Sequence, residues 1–172
     1  MRRSIFFLLA LPVMLAGVVM AASPALATSP HFISVSGKLS GSNLIVSWKE
    51  AGLGNNLLIS YTTNADATAV YVCVNKGGGN PSAANKTTVN GPVSATGSFS
   101  SGKNGSVSAS LTLNPPGPGG FGCPSGQSLQ VASVTYSNVT LTDTTTPVGP
   151  VTVGTGTFST GCLLPDVRGA CS

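Results

Sequence analysis

Residues 93–113 read VSATGSFSSGKNGSVSASLTL, and their apolar side chains alternate with Ser or Thr on both sides of an Asn-Gly turn. A period of two places the apolar side chains on one face of a β-strand and the hydroxyl groups on the other. Asn-Gly between two such runs is the strongest short-range signal for a hairpin. The stretch therefore predicts two strands that form a hairpin across residues 100–105.

The same alternation recurs along the rest of the chain. Apolar positions on both sides of Gly41 predict a first hairpin, with one arm beginning near Ile33 and the other ending near Trp48. Residues 69–74 are apolar at every position. Such a run is typical of a central strand that is covered on both faces.

Later strands are less regular. A phase slip at Ser137 and Asn138 predicts a β-bulge within a long apolar-alternating segment. Further strands are expected at 59–63 and at 151–158, and a helical turn is expected only at 49–53. Eight or nine strands joined by Gly, Pro and Asn predict an all-β, antiparallel β-sandwich, immunoglobulin-like in arrangement, with a closed β-barrel as the alternative.

The first 27 residues have the three zones of a secretion signal. Arg2 and Arg3 precede an apolar run that ends at Met20, and small residues lead to Ala27. The apolar run is shorter than the roughly 20 residues that span a bilayer. We expect cleavage after Ala27, a sandwich domain over 28–161, a C-terminal tail over 162–172, and a secreted product without a membrane partner.

The charge of the exported chain is low. Removing Arg2 and Arg3 leaves six basic and four acidic side chains, a net charge of +2. The basic residues are spread along the chain and form no stripe that could follow a phosphate backbone. Nucleic acid is therefore not an expected partner.

All four cysteines lie beyond the signal, an even number that suits an oxidising compartment. Three pairings can be drawn, of which we favour Cys73 with Cys123 and Cys162 with Cys171. The second bridge would close the short C-terminal tail. Zinc is the alternative, but metal sites prefer closely spaced Cys pairs or His partners. No metal and no cofactor are expected.

The inventory of titratable side chains argues against catalysis. General acid–base chemistry needs such groups held close together. The chain has one histidine, His31, and four acids that are far apart in sequence: Glu50, Asp66, Asp143 and Asp166. A non-catalytic binding or structural role is expected, with an extracellular hydrolase as the alternative from another class.

Three segments are candidate binding loops, because binding residues are commonly carried on loops. The first contains Trp48, Lys49 and Glu50, although Trp48 continues an apolar face and the favoured interpretation places it in the core. The second holds the triple glycine Gly77, Gly78 and Gly79, for which a flexible turn is the favoured interpretation because no strand-to-helix context supports a phosphate-binding loop. The third places Phe121 beside Cys123. The candidate partners are a small apolar ligand, a glycan or a protein.

Several segments resemble short secreted actinobacterial proteins of unknown function. The likeness lies in residues 48–54, 65–69, 83–86, 90–93, 101–105 and 143–145. A second resemblance, carried by the composition of residues 104–112, is to neocarzinostatin-type apoproteins, although the cysteine spacing departs from theirs. That second family implies a secreted carrier of an apolar chromophore. A small-molecule carrier and a secreted protease inhibitor are therefore the alternatives within the binding class.

Overall fold

The computed structural model describes residues 29–75 and 85–171, which form two antiparallel sheets. The predicted signal sequence and the triple glycine at 77–79 lie outside these residues. No helix in the described part of the chain is long and apolar enough to cross a membrane. The strands are β1 His31–Ser40, β2 Asn43–Ala51, β3 Leu58–Asn75, β4 Lys86–Ser100, β5 Ser106–Leu113, β6 Gln127–Asp143, β7 Val148–Thr152 and β8 Phe158–Ser159.

The strands form a sandwich. One sheet has the order β1-β2-β5, and the other has the order β4-β3-β6-β7, with β8 also paired to β6. The core lies between the sheets, because inward side chains of β2 and β5 are buried together with those of β3 and β6. The predicted antiparallel β-sandwich is confirmed, and the sheets do not close into a barrel.

The first predicted hairpin is confirmed. Ser40 pairs with Asn43 across the two-residue turn Gly41-Ser42. Gly41 has a φ of +58°, while Ser42 is not among the residues with positive φ. A glycine is favoured at the first of two turn residues in such hairpins, because it adopts positive φ without a steric cost.

The hairpin predicted for residues 93–113 is wrong, although both of its strands exist. β4 pairs with β3 in the larger sheet, whereas β5 pairs with β2 in the smaller one. The connection is an arch that passes from one sheet to the other, closed by a 2.8 Å hydrogen bond from Ser106 N to Ser101 O. A hairpin and an arch require the same alternation, since both place the apolar faces of the two strands in one core.

The central strand β3 is continuous over 18 residues. It therefore joins two segments that the sequence predicts separately, at 59–63 and 69–74. Its register with β6 shifts between Asn64 and Asp66, opposite the predicted bulge, where Asn138 has a φ of +53°. The bulge is confirmed. The last predicted strand is divided instead into β7 and β8.

The C-terminal residues cover the outer face of the larger sheet. Val72, Val74 and Ala132 are buried there with Ala170, and Leu164 and Val167 pack against them. Because Tyr71 and Cys73 face the core, this end of β3 is covered on both faces, as its sequence predicts. The predicted disulfides, Cys73–Cys123 and Cys162–Cys171, are both present.

Candidate functional site at the loop end of the sandwich

The first predicted binding loop is part of strand β2. Trp48 is 3% exposed and packs against Tyr61 and Phe99, with ring centroids 4.6 and 5.5 Å away. Glu50 is also buried, whereas Lys49 is exposed on the outer face of the smaller sheet. Trp48 is thus a core residue, and the helical turn expected at 49–53 is replaced by the end of β2 and an extended loop.

Phe121 lies at the opposite end of the molecule. It is half-buried against the core, two residues from the Cys73–Cys123 disulfide at the far end of β3. Trp48 belongs instead to the half of β2 that leads into the loop beginning at Gly52. Trp48 and Phe121 therefore do not meet in one cleft, and Gly77 to Gly79 lie outside the described residues.

A different group of loops comes together where β2, β4 and β6 end. We call it the loop end: residues 52–57, 101–105 and 144–147, with the N-terminal segment 29–30. Backbone bonds join the first two loops, from Leu53 N to Gly105 O at 3.0 Å, from Asn56 N to Gly102 O at 2.7 Å and from Ser101 N to Leu57 O at 2.8 Å. Three connections between two loops hold both in one arrangement.

Ser101 is the central link between these two loops. Its hydroxyl donates to the carbonyl of Gly54 at 2.7 Å and accepts from the amide of Leu57 at 2.9 Å. The residue is only 1% exposed. A buried hydroxyl with both a donor and an acceptor partner is fully satisfied, so this contact fixes the two loops without leaving a polar group unpaired.

The third loop is fixed by Asp143, the last residue of β6. Its carboxylate accepts hydrogen bonds from Thr145 N at 2.8 Å, from Thr146 N at 3.1 Å and from the Thr146 hydroxyl. The loop then bonds to β3, because Ser60 N donates to the Thr145 hydroxyl at 2.9 Å and Thr144 N donates to Ser60 O at 2.8 Å. Asp143 therefore fixes the conformation of the β6–β7 loop through hydrogen bonds to the loop's own residues.

The N-terminal segment completes the loop end. A Cβ added at Gly52 would lie 2.1 Å from the carbonyl oxygen of Ser29, so the segment crosses Gly52 closely. The ring Nδ1 of His31 lies 2.7 Å from the same oxygen. Residues 29–31 are thus packed onto the start of the β2–β3 loop.

Large apolar side chains are exposed at the loop end and on the strand residues next to it. Leu57 and Leu58 are adjacent in sequence and are 49% and 67% exposed. Ile33, on β1 near the same end, is 54% exposed. Exposed apolar groups on ordered loops, with Ser, Thr and Asn around them, are a common composition for a protein contact surface.

A polar cluster lies beneath these loops. Glu50 and Asp143 are fully buried, with Trp48 and Tyr61 beside Glu50. Burial raises the pKa of the Glu50 carboxyl above its ordinary value of 4.5, the Tyr61 hydroxyl lowers it, Asp143 raises it and His31 lowers it. Burial and the neighbouring Glu50 carboxyl raise the pKa of Tyr61 well above its ordinary range.

Sequence reasoning missed this cluster, although a signal for it exists. Leu44, Val46 and Trp48 face the core at every second position of β2, and Glu50 continues the same phase. Asp143 likewise continues the inward phase of Val139 and Leu141. Extending the period through the charged residues would have placed both carboxyl groups inside, 93 positions apart in sequence but next to the same tyrosine.

The depressions on the outer faces are shallow and open. One, of about 330 Å³, lies on the larger sheet at the bulge and is lined by Asn64, Asp66, Pro92 and Asn138. Another, of about 290 Å³, lies beside the C-terminal residues at Val70, Lys86 and Ala170. Within 29–75 and 85–171, no three His, Cys, Asp or Glu side chains are grouped as metal ligands would be.

Glu50 and Asp143 could serve as an acid–base pair only if a substrate displaced the hydrogen-bonded loops above them, because neither is exposed. Comparisons of the chain with protein-family models, curated proteins and solved structures find no significant match.

Proposed function

We propose that this chain is a secreted, immunoglobulin-like binding module that contacts a protein partner through its loop end. The observation that carries the proposal is the combination of three loops fastened by hydrogen bonds and two exposed leucines, Leu57 and Leu58. Ordered loops lose little conformational entropy when they bind. Exposed leucines supply apolar area that water solvates poorly.

The strand order supports the immunoglobulin-like assignment. Constant-type immunoglobulin domains place strands A, B, E and D in one sheet and C, F and G in the other. The order β1-β2-β5 corresponds to A-B-E, and β3-β6-β7 corresponds to C-F-G, with β4 attached to the edge of the second sheet. The β2–β3 and β6–β7 loops then correspond to B–C and F–G, which form part of the binding end in variable domains.

Export is supported by the first 27 residues and by the cysteines. Two disulfides and no unpaired cysteine occur in the described residues, which is the usual state of a protein in an oxidising compartment. A catalytic role is less well supported, since the two carboxyl groups that approach each other are both buried. An internal chromophore site is also less well supported, because Trp48, Tyr61 and Phe99 fill the space between the sheets.

The test uses the exported chain, residues 28–172, immobilised through its C-terminus. Extracellular and cell-surface proteins of the producing organism are passed over wild type, over the double variant Leu57→Ser, Leu58→Ser, and over the control Leu129→Ser. Leu129 is 39% exposed but lies on β6 opposite Cys73, far from the loop end. Each captured protein is then purified and its affinity is measured for all three.

We expect a partner whose affinity falls about tenfold or more with the loop variant, since burying one leucine side chain contributes about 1.5–3 kcal/mol and tenfold in affinity is about 1.4 kcal/mol. Its affinity should be unchanged with Leu129→Ser. A partner that binds all three proteins equally would contradict the loop-end assignment. Copurification of an absorbing small molecule would favour a carrier. If the chain inhibits an extracellular protease and the loop variant inhibits it equally well, the inhibitory site lies elsewhere.

A further inference from the structure

Four buried polar atoms beneath the loop end have no hydrogen-bond partner among the described residues. They are the indole Nε1 of Trp48, both carboxyl oxygens of Glu50 and the hydroxyl of Tyr61. The Tyr61 hydroxyl lowers the pKa of Glu50 and the Trp48 indole lowers that of Tyr61, so these groups face one another, but no pair among them reaches the distance and angle of a normal hydrogen bond. Buried polar groups are nearly always paired, so a cluster of four unpaired atoms requires a physical explanation.

Of these four atoms, the two carboxyl oxygens of Glu50 carry the largest free-energy cost of burial if the group is ionised. An ionised carboxylate buried without a cation or hydrogen-bond donors is strongly disfavoured, and such a group usually becomes neutral instead. Its titratable neighbours come from each strand around it: His31 from β1, Tyr61 from β3 and Asp143 from β6. On β5 the residue opposite is the apolar Val107. His31 and the Tyr61 hydroxyl favour the charged form of Glu50, but burial and Asp143 outweigh them, because the pKa of Glu50 is raised.

Glu50 is connected directly to the loops. Glu50 pairs with Val107, the second residue of β5. Leu53, three residues after Glu50, donates its amide to the carbonyl of Gly105 in the arch between β4 and β5. Asp143, the negative neighbour of Glu50, holds the β6–β7 loop through Thr145 and Thr146. A charge formed on Glu50 would therefore be destabilising at the point where all three loops begin.

We propose that Glu50 is a proton-operated latch for the loop end: its neutral carboxyl keeps the three loops closed over the core, and its ionisation loosens them so that water reaches the charge. The consequence for binding rests on the proposed function, because a loosened loop end would present Leu57 and Leu58 in a less fixed arrangement. The latch itself is a property of the free protein and is tested without a partner.

The direction of the pH effect follows from the raised pKa of Glu50. The folded state binds this proton more tightly than the unfolded chain does. Between the ordinary pKa of 4.5 and the raised one, the folded state therefore holds more protons, and the free energy of unfolding falls as the pH rises. The closed loop end is most stable in acid and loses stability as the pH increases through this window.

The experiment compares wild type with Glu50→Gln, which keeps the shape but cannot ionise, and with Asp166→Asn, which removes an exposed carboxylate from the C-terminal tail. Amide hydrogen exchange, corrected for the intrinsic effect of pH, is followed at Leu53, Asn56 and Leu57. In wild type and Asp166→Asn, the protection of these amides should fall about tenfold for each pH unit through which Glu50 titrates. In Glu50→Gln it should stay constant.

Equal pH dependence in wild type and Glu50→Gln would overturn the latch, whatever the binding experiment shows. Should the variant fail to fold, ¹³C titration of the Glu50 side-chain carboxyl in the wild-type protein decides the matter. A midpoint above 4.5, with loop protection falling between pH 4.5 and that midpoint, supports the latch. A midpoint at or below that value contradicts it.

Discussion

The two ends of the sandwich are fastened by different kinds of interaction. At the end we call the disulfide end, Cys73 is bonded to Cys123 and the tail closed by Cys162–Cys171 covers the outer face of β3 and β6. At the loop end, hydrogen bonds join the β2–β3 loop to the β4–β5 loop and the β6–β7 loop to strand β3, and polar atoms without a normal hydrogen bond lie beneath them. Regions held by reversible contacts open at lower free energy than cross-linked ones. We therefore expect the loop end to open at a lower free energy than the disulfide end.

Removing the Cys73–Cys123 bridge should have the largest effect on stability. The double variant Cys73→Ala, Cys123→Ala frees a loop whose ends are 50 residues apart, which the chain-entropy model values at about 4 kcal/mol. Denaturant unfolding followed by Trp48 fluorescence measures the loss. The matched variant Cys162→Ala, Cys171→Ala frees a loop of 9 residues and should cost less, about 3 kcal/mol at most. A larger loss from the short bridge would mean that the tail, and not the central strand, anchors this end.

Gly52→Ala should be the most damaging single change at the loop end. The new methyl group would lie 2.1 Å from the carbonyl oxygen of Ser29, and the backbone at Gly52 has a φ of +77°. Overpacking and the strained φ together should lower the free energy of unfolding by about 3 kcal/mol. Gly102→Ala is the control, since its φ is +61° but nothing lies within 4 Å of its added Cβ; strain alone should cost about 1 kcal/mol. Equal losses would show that the N-terminal segment is not held against Gly52.

Ser101→Ala should weaken the connection between the first two loops. The change removes a buried hydroxyl that bonds to Gly54 O and Leu57 N, and it leaves both groups unpaired. We expect a loss of about 2 kcal/mol and faster exchange of the Leu57 amide. The exposed neighbour Ser100 provides the control, because Ser100→Ala should alter stability by less than about 0.5 kcal/mol. Similar results for the two serines would contradict a role for Ser101 as the central link.

The sequence predicts the strands of this fold better than it predicts their partners. The two-residue period identifies β4 and β5 correctly, but pairing depends on which sheet each strand joins, and an arch and a hairpin share one pattern. The turn at Gly41 and the bulge at Asn138 could be predicted because each depends on the backbone conformation of one or two residues. The disulfides could be predicted because four cysteines allow only three pairings, and the favoured pairing is the one present.

The candidate site was predicted less well than the fold, for a physical reason. Trp48 and Glu50 attract attention as a loop because charged residues usually lie at the surface. The structure continues β2 through them and buries the carboxyl beside Tyr61. Several contacts at the loop end join residues far apart in sequence, such as Leu57 with Ser101 at 44 positions and Ser60 with Thr145 at 85. Pairings over such separations follow from the sheet topology, which no short motif encodes.

The three tyrosines offer the finest comparison of the two ends. Towards the disulfide end, the Tyr71 hydroxyl donates to Pro116 O at 2.6 Å, and the Tyr136 hydroxyl donates to Ser42 O at 2.7 Å with Leu113 O 3.2 Å away. Burial raises the pKa of Tyr136 to about 12, so this hydroxyl remains a donor throughout the neutral range. The Tyr61 hydroxyl at the loop end has no partner among the described residues.

Replacing each tyrosine by phenylalanine should therefore lower the free energy of unfolding by about 1 kcal/mol more at the disulfide end than at the loop end. Tyr71→Phe and Tyr136→Phe each leave a carbonyl without its donor and should lower the free energy of unfolding by about that amount, whereas Tyr61→Phe removes an unpaired hydroxyl and should cost close to nothing. Denaturant unfolding at pH 5 measures all three under conditions that keep the loop end closed. A loss for Tyr61→Phe as large as that for Tyr136→Phe would mean that the Tyr61 hydroxyl is paired, either with the Glu50 carboxyl that it faces or with an ordered water. In that case the loop end would be as fully hydrogen-bonded as the disulfide end, and the contrast between them would reduce to the two covalent bridges.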